Sequence, residues 1–279
     1  MKECVQQLSE QHIDNAYGDA WALLSLVTGW SRAEYLMKQK LPMDDAQQER
    51  FQQLITRRAQ HIPLQYITGV QYFYGYQFKV TPDVLIPRYD TEVLIEKILE
   101  TKQPFKKVLD LCTGSGCIAI TLAKELKTDV CVAVDISMEA LQVADENAKN
   151  LDAEVTFLYG DLYQPVKENQ WGNFDLIVSN PPYIPSAVCE ELMEEVRAHE
   201  PRLALDGKED GLYFYRGIIS EAGRYLKKDG YLFLEIGHDQ GLLVKEMLQE
   251  QGFQEVVIHQ DLAGLDRVVG GKFFRNTDQ

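Results

Sequence analysis

The sequence has little of what membrane, secreted or metal-binding proteins need. No uninterrupted apolar run approaches the roughly 18 residues of a membrane-spanning helix. The N-terminus, Met1-Lys2-Glu3-Cys4, lacks the basic-then-apolar order of a secretory signal. The five cysteines contain no CxxC pair, which argues against a disulfide framework and a zinc site. We therefore expect reduced thiols, no metal site and a cytoplasmic location.

Basic residues are also scarce. The chain has 28 Lys and Arg against 43 Asp and Glu, a formal net charge of -15. Proteins that grip nucleic-acid phosphates usually present a basic face, because each neutralised phosphate releases counterions. A local basic patch is still compatible with this total. The balance nevertheless favours a protein or small-molecule partner, and we expect no direct contact with nucleic acid.

The chain changes character twice, which predicts three segments. Residues 1–63 indicate a helical domain, in which Ser31 and Glu34 fit a capping box. Residues 64–87 are rich in aromatic residues and glycine, and they predict a β-hairpin linker. Residues 88–279 form the main domain. The helical domain either offers a face to a partner or only packs on the main domain, and the sequence leaves both open.

Within the main domain, short apolar strands alternate with helices, which is typical of a parallel sheet covered on both faces. Seven strands are predicted, near residues 108–111, 130–134, 155–159, 174–178, 231–236, 253–259 and 267–273. A short turn joins the last two strands, which favours an antiparallel hairpin at the sheet edge. The predicted fold class is α/β, a Rossmann-like seven-stranded, mostly parallel sheet with a C-terminal antiparallel hairpin, preceded by a small all-α domain.

A glycine turn follows the first strand of this sheet and reads Asp110-Leu111-Cys112-Thr113-Gly114-Ser115-Gly116. Glycine lets the backbone bend sharply and approach a ligand closely, with the helix N–H groups pointing outward. The dinucleotide pattern is met only in its relaxed form, since Ala119 takes the third glycine position. Taken alone, the loop indicates either a cofactor site or a structural tight turn.

Two acidic residues stand at the ends of the next two strands. Asp135 lies 19 residues past Gly116, where a carboxylate can accept both ribose hydroxyls of an adenosine ligand. That ligand could be NAD as well as S-adenosylmethionine. A helix cap is the structural alternative for Asp135, although Ser137 fits that role better. Asp161 follows the third strand, where it could reach an adenine amino group or simply belong to a turn.

The most informative motif is Asn180-Pro181-Pro182-Tyr183, directly after the fourth strand. Two prolines remove N–H donors and leave carbonyls free to accept hydrogen bonds, and Asn180 adds a side-chain acceptor. Tyr183 offers a face to a planar group. Two acceptors that take the hydrogens of a conjugated –NH₂ group would favour tetrahedral geometry and aim its lone pair at a methyl donor. The motif predicts methylation of a planar nitrogen, and a plain loop is the alternative.

With these motifs the chain resembles the class I S-adenosylmethionine-dependent methyltransferases that carry N-P-P-Y, and within them the glutamine methyltransferases of peptide chain release factors. Pro63-Leu64-Gln65-Tyr66-Ile67-Thr68-Gly69 and Val84-Leu85-Ile86-Pro87-Arg88 resemble motifs of that family. Further shared motifs are Glu200-Pro201, Ala204-Leu205, Asp210-Gly211-Leu212, Tyr215-Arg216, Glu235-Ile236-Gly237 and Asp266-Arg267-Val268-Val269. The resemblance covers nearly everything after residue 60.

The resemblance implies a reaction and a set of roles. The methyl donor is S-adenosylmethionine, with S-adenosylhomocysteine as product, and the substrate is the glutamine of the Gly-Gly-Gln motif in a release factor. Asn180 and the Pro181 carbonyl would hold the amide hydrogens, with Pro182 in the same catalytic tetrapeptide and Tyr183 packing on the glutamine. The implied cofactor-binding residues are Cys112, Thr113, Gly114, Ser115, Gly116, Asp135, Asp161, Leu162 and Asn180. The helical domain would dock the release factor, and we expect a monomer.

The chain departs from the family at three places. Cys112 stands at the usual first glycine of the loop, Tyr89-Asp90 replaces Pro-Glu after Arg88, and Leu162 stands where tryptophan is frequent.

Three rival functions share parts of this pattern. A DNA or RNA adenine methyltransferase has the same tetrapeptide, but it would need a basic cleft and a means of flipping a base. A release-factor-binding module without catalysis should show damage at Asn180 or Asp135, and both are intact. An NAD-dependent dehydrogenase would leave the tetrapeptide without a role.

Overall fold

The computed structural model describes residues 1–38, 41–169 and 171–274. The chain divides into two compact units. The smaller one combines Met1–Val70 with Met193–His199, and the larger one combines Gln71–Leu192 with the chain from Glu200 onward. None of the helices in the described ranges has the length and apolar character needed to cross a membrane.

The elements alternate along the chain in the order that the sequence pattern predicts for an α/β protein. The helices are α1 (Lys2–Glu10), α2 (Ala16–Thr28), α3 (Arg32–Lys38), α4 (Asp45–Arg58), α5 (Leu64–Thr68), α6 (Glu92–Glu100), α7 (Cys117–Leu126), α8 (Met138–Asn150), α9 (Gln164–Glu168), α10 (Ser186–Cys189), α11 (Glu194–His199), α12 (Tyr213–Tyr225) and α13 (Gly241–Glu250). The strands are β1 (Val70–Phe73), β2 (Tyr76–Lys79), β3 (Lys107–Leu111), β4 (Val130–Asp135), β5 (Thr156–Tyr159), β6 (Phe174–Ser179), β7 (Leu226–Glu235), β8 (Phe253–Gln260) and β9 (Asp266–Phe273). Short 3-10 turns cover Tyr89–Thr91 and Arg202–Ala204.

The smaller unit is helical, as predicted. The capping box at the start of α3 is confirmed, because Ser31 N–H donates to Glu34 Oε2 at 2.9 Å and Glu34 N–H donates to Ser31 Oγ at 3.3 Å. Arg58 of α4 is buried in this unit. It donates to Asp19 Oδ2 at 2.7 Å and to Glu195 Oε2 at 2.8 Å. A buried guanidinium is tolerated only when it is paired in this way. The segment 193–199 therefore supplies part of this unit's buried charge network.

The larger unit is built on a seven-stranded sheet in the order β5-β4-β3-β6-β7-β9-β8. The first five strands run parallel, and β9 is antiparallel to both of its neighbours. The predicted fold class is confirmed. Successive strand residues fill two cores, with Leu109 and Leu111 in one apolar cluster and Val108 in the other. Both faces of the sheet are thus covered, which explains why the parallel strands are continuous apolar runs.

Strand order places the candidate site. The strand order reverses between β3 and β6, and Leu111 of β3 lies beside Ser179 of β6 and beside Val134 of β4. The loops that follow β3, β4 and β6 therefore open at one edge of the sheet. In open α/β sheets, this switch point at the carboxyl ends of the strands is where ligands bind.

Several features differ from the sequence prediction. Residues 64–68 of the predicted β-hairpin linker form the helix α5, and the hairpin itself extends only from Val70 to Lys79. Strand β7 begins at Leu226 rather than at Tyr231, because an irregularity in its pairing with β6 carries the strand through the polar Lys227-Lys228-Asp229-Gly230. Helix α13 was not predicted, and its N-cap residue Gln240 makes no side-chain capping bond. Its start therefore has no local signal of the kind that marks α8.

Candidate active site

A cavity of about 320 Å³ opens at this edge of the sheet, within the larger unit. It is lined by most of the residues that the sequence singled out, namely Cys112, Thr113, Gly114, Ser115, Asp135, Asp161, Leu162, Asn180 and Pro182. Gly116, Pro181 and Tyr183 are not among the residues that line it. The loops after β3, β4, β5 and β6 are thus brought together around a volume suited to a small ligand.

The glycine loop is strongly bent. Cys112, Gly114 and Gly116 all have positive φ, at 60°, 56° and 80°. A non-glycine residue is strained in this region, which fits the glycine that the resemblance implies at position 112. Gly116 contributes to packing instead, since a Cβ there would lie 3.1 Å from Ala144 Cβ of α8. Burial raises the pKa of the Cys112 thiol, so it faces the cavity as a neutral group.

Asp135 is held in place by backbone donors. Its Oδ2 accepts the Gly114 N–H at 2.8 Å, and its Oδ1 accepts the Ser137 N–H at 2.9 Å. A carboxylate offers about four lone-pair positions, so two acceptor positions are left for a ligand. Ser137 caps α8 through its own hydroxyl, which accepts the Ala140 N–H at 3.0 Å. The helix-cap alternative for Asp135 is therefore unnecessary, because Ser137 fills that role.

A second carboxyl lies behind the loop. Asp110 is fully buried, and its Oδ2 accepts the Thr113 hydroxyl at 2.6 Å. Within the described part of the chain, its Oδ1 has no hydrogen-bond partner. Burial raises the pKa of Asp110 to about 7, with a smaller contribution from the charge of Asp135. This group supports the loop from below and does not line the cavity.

The Asn180-Pro181-Pro182-Tyr183 segment is fixed by contacts on several sides. Asn180 Nδ2 donates to the Thr91 hydroxyl at 3.4 Å, and the Tyr183 carbonyl accepts from Gln240 Nε2 at 3.0 Å. A Cβ on Gly207 would lie 2.8 Å from the Tyr183 backbone, so this loop approaches the segment closely. The Tyr183 ring packs against the core, and burial raises the pKa of its hydroxyl.

Further lining residues come from segments that the sequence did not assign to the site. They include Ile136, Lys208, Tyr213 and Phe214, together with Arg88, Thr91, Pro201 and Ala204 from or beside the shared motifs. An ion pair between Arg88 and the buried Glu200 joins two of these loops. Ile136 could have been found from its place directly after Asp135. Lys208, Tyr213 and Phe214 give no local signal, because the loops that carry them are distant in sequence from the other site residues.

Comparisons with known proteins agree with this geometry. Residues 1–69 match the PrmC N-terminal domain, and residues 89–262 match the methyltransferase small domain. A release factor glutamine methyltransferase of Geobacter sulfurreducens is 44% identical over 95% of this chain and 92% of its own length. One of Moorella thermoacetica is 43% identical over 95% of this chain and 94% of its own length.

A solved structure shows likeness in fold alone. The ribosomal protein L11 methylase of Lactobacillus delbrueckii subsp. bulgaricus is 23% identical, with a TM-score of 0.51 over 74% of this chain and 90% of that one. The sheet topology establishes the fold. The family is established by the 44% and 43% identity to the two relatives, which extends over 95% of this chain. The chain belongs to the release factor glutamine methyltransferase family.

Proposed function

We propose that this protein transfers the methyl group of S-adenosylmethionine to the side-chain amide nitrogen of the glutamine in the Gly-Gly-Gln motif of a peptide chain release factor. One observation carries the proposal. Asn180 lines the cavity while its amide nitrogen is engaged by Thr91, which leaves its oxygen as a free acceptor. The names of the relatives support the substrate.

The residues around the cavity fit the cofactor. Asp135 has acceptor positions left for the ribose hydroxyls. Leu162, Ile136 and Phe214 give the cavity apolar walls that suit an adenine ring, and the bent loop around Gly114 suits the methionine part. When bound, the cofactor supplies an electrophilic methyl group on a sulfonium. Asp161 also lines the cavity, and its proposed role is to accept a hydrogen bond from the adenine amino group.

The chain's own residues then orient the acceptor nitrogen. Asn180 Oδ1 and the Pro181 carbonyl each accept one hydrogen of the glutamine amide, which directs the nitrogen lone pair at the methyl carbon. The sulfonium would supply the methyl carbon and leave as a thioether, and the methylated nitrogen would give up one proton to water. Tyr183 packs on the glutamine. Pro181 and Tyr183 do not line the cavity, so the proposed contacts of these two residues with the peptide lie outside it.

The remaining assignments concern the partner. The helical unit docks the release factor, and the protein acts as a monomer. The reaction takes place in the cytoplasm, where release factors act.

A labelled-methyl transfer assay tests the proposal. We expect label on a release factor with an intact Gly-Gly-Gln motif, and none on the same factor with that glutamine changed to alanine. Duplex DNA and RNA are offered in parallel. Label on nucleic acid together with an unlabelled release factor would reverse the assignment in favour of an adenine methyltransferase.

Variants of the same protein locate the chemistry. We expect Asn180→Ala to lose at least about a hundredfold in kcat while cofactor affinity stays within about twofold, because only the transition-state contact is removed. The exposed Asn150, at the end of α8, provides the matched control Asn150→Ala. Near wild-type turnover in Asn180→Ala would remove Asn180 from the mechanism.

A further inference from the structure

A buried carboxyl that the chemistry above does not use lies directly beneath the tetrapeptide. Glu235 ends β7 and is 2% exposed. Ser179 of β6 pairs with Leu234 of β7, so the next residues along the two strands, Asn180 and Glu235, lie side by side at the carboxyl edge. Burying a carboxylate costs free energy unless polar groups surround it. The groups around Glu235 therefore indicate its role at the sheet edge.

The contacts of Glu235 converge on Asn180. The side chains of Thr91 and Asn180 lie near enough to the Glu235 carboxyl to lower its pKa as hydrogen-bond donors, while its Oε2 has no hydrogen-bond partner among the described residues. Asn180 Nδ2 also donates to the Thr91 hydroxyl at 3.4 Å. Thr91 is itself 2% exposed, so water does not compete for these groups. Thr91 therefore engages one hydrogen of the Asn180 amide, and the Glu235 carboxyl lies beside the same amide at the sheet edge.

This arrangement decides which way the amide points. The oxygen and nitrogen of an asparagine side chain have nearly the same shape, so packing alone does not distinguish the two orientations. A carboxylate can only accept hydrogen bonds, and a reversed amide would bring Oδ1 against it. We propose that Glu235, together with Thr91, holds the Asn180 amide so that Oδ1 faces the substrate nitrogen. Glu235 is thus a positioning residue, and the inference rests on the acceptor role proposed for Asn180.

The surroundings give Glu235 a pH dependence. Burial raises its pKa to about 7, against the lowering effects of Thr91, Arg267 and Asn180. The charged or titratable groups that face it are Arg267 of β9, Asp90 of the 3-10 turn, Tyr183 after β6, Tyr215 of α12 and Cys117 of α7. Once protonated, the carboxyl can donate to Asn180 Oδ1 and no longer selects one orientation. Activity supported by this contact should therefore fall as the pH drops below 7.

The isosteric variant Glu235→Gln tests the proposal. Its amide can donate to Asn180 Oδ1, so we expect kcat to fall at least about tenfold while cofactor affinity by calorimetry stays within about twofold. The ratio of wild-type to variant kcat should grow at least about threefold from pH 6 to pH 8, as Glu235 ionises only in the wild type. The exposed Glu250 of α13 gives the matched control Glu250→Gln, which should behave as wild type at every pH.

A double variant separates positioning from general support of the fold. In the Asn180→Ala background, Glu235→Gln should cause no further loss, because the group that it orients is gone. An equal loss in both backgrounds, or a Glu235→Gln kcat within about twofold of wild type, would overturn the inference. If Glu235→Gln is fully active while Asn180→Ala is inactive, the positioning role of Glu235 is refuted and the proposed function stands. A fully active Asn180→Ala counts against the proposed function itself.

Thr91 provides a second route if the Glu235 variant folds poorly. Thr91→Ser keeps the hydroxyl, whereas Thr91→Val keeps the shape and removes it. We expect the serine variant to be at least about fivefold more active than the valine variant, with equal cofactor affinity in the two. Equal activities would show that the hydroxyl does not orient Asn180.

Discussion

Replacing the Glu235 carboxyl with the amide of glutamine should change how the stability of the protein depends on pH. Burial raises the pKa of Glu235 from its ordinary value of 4.5 to about 7. Between these two values the folded state binds more protons than the unfolded state. The free energy of unfolding therefore falls as the pH rises through this window. The contribution is fully present below pH 4.5 and is lost above pH 7.

The magnitude follows from the two pKa values. Raising one carboxyl pKa from 4.5 to about 7 corresponds to roughly 3 kcal/mol in total, of which about 2.5 kcal/mol falls between pH 5 and pH 8. Glutamine does not titrate, so the variant should lack this decline. Any new contact made by its amide adds a constant that does not vary with pH. Burial also raises the pKa of the Asp110 and Asp135 carboxyls, but these two groups titrate in the same direction in both proteins and cancel in the comparison.

Urea unfolding followed by circular dichroism at several pH values measures the effect. We expect the free energy of unfolding of Glu235→Gln, relative to wild type, to rise by about 2.5 kcal/mol from pH 5 to pH 8. Glu250→Gln should follow the wild-type curve throughout. A difference between Glu235→Gln and wild type that stays constant across this range would refute the reasoning, since the buried carboxyl would then not titrate with a raised pKa.

Three further perturbations follow from the structure. Asp135→Ala should weaken S-adenosylmethionine binding by at least about tenfold, and unchanged affinity by calorimetry would exclude a ribose contact. Gly207→Ala places a Cβ 2.8 Å from the Tyr183 backbone, so we expect a lower kcat and a loss of about 1–3 kcal/mol in stability. Gly172→Ala, with open space around the new Cβ, is its control. Arg58→Ala should destabilise the helical unit by about 3–5 kcal/mol in urea unfolding, because it leaves a buried carboxylate unpaired, and a loss under about 1 kcal/mol would contradict this.

Much of the fold could be predicted from local patterns. The parallel strands are buried on both faces and are therefore continuous apolar runs, and Ser137 marks the start of α8 with a capping hydroxyl. The prediction failed for elements whose local sequence pattern is weak. Strand β7 continues through the polar Lys227–Gly230, and α13 begins without a capping side chain.

The site was predictable to the extent that it lies in motifs next to strand ends. Asp135 and Asn180 could be placed at the cavity because they directly follow β4 and β6. The residues that contact the Asn180 side chain could not be predicted. Thr91 and Glu235 are separated from Asn180 by 89 and 55 residues, and only the register of β6 with β7 brings Glu235 beside it. Long-range pairing of this kind has no local periodicity to reveal it.

The discontinuity of the smaller unit has a consequence for how the chain folds during synthesis. The buried Arg58 of α4 is paired in part with Glu195, which lies 137 residues further along the chain. A ribosome that has made only the first seventy residues has supplied the helices, but not this partner. The helical unit can complete its charge network only after residue 199 has emerged, by which time six of the nine strands have been synthesised. Maturation of the two units is therefore coupled in time, even though the helical unit comes first in the sequence.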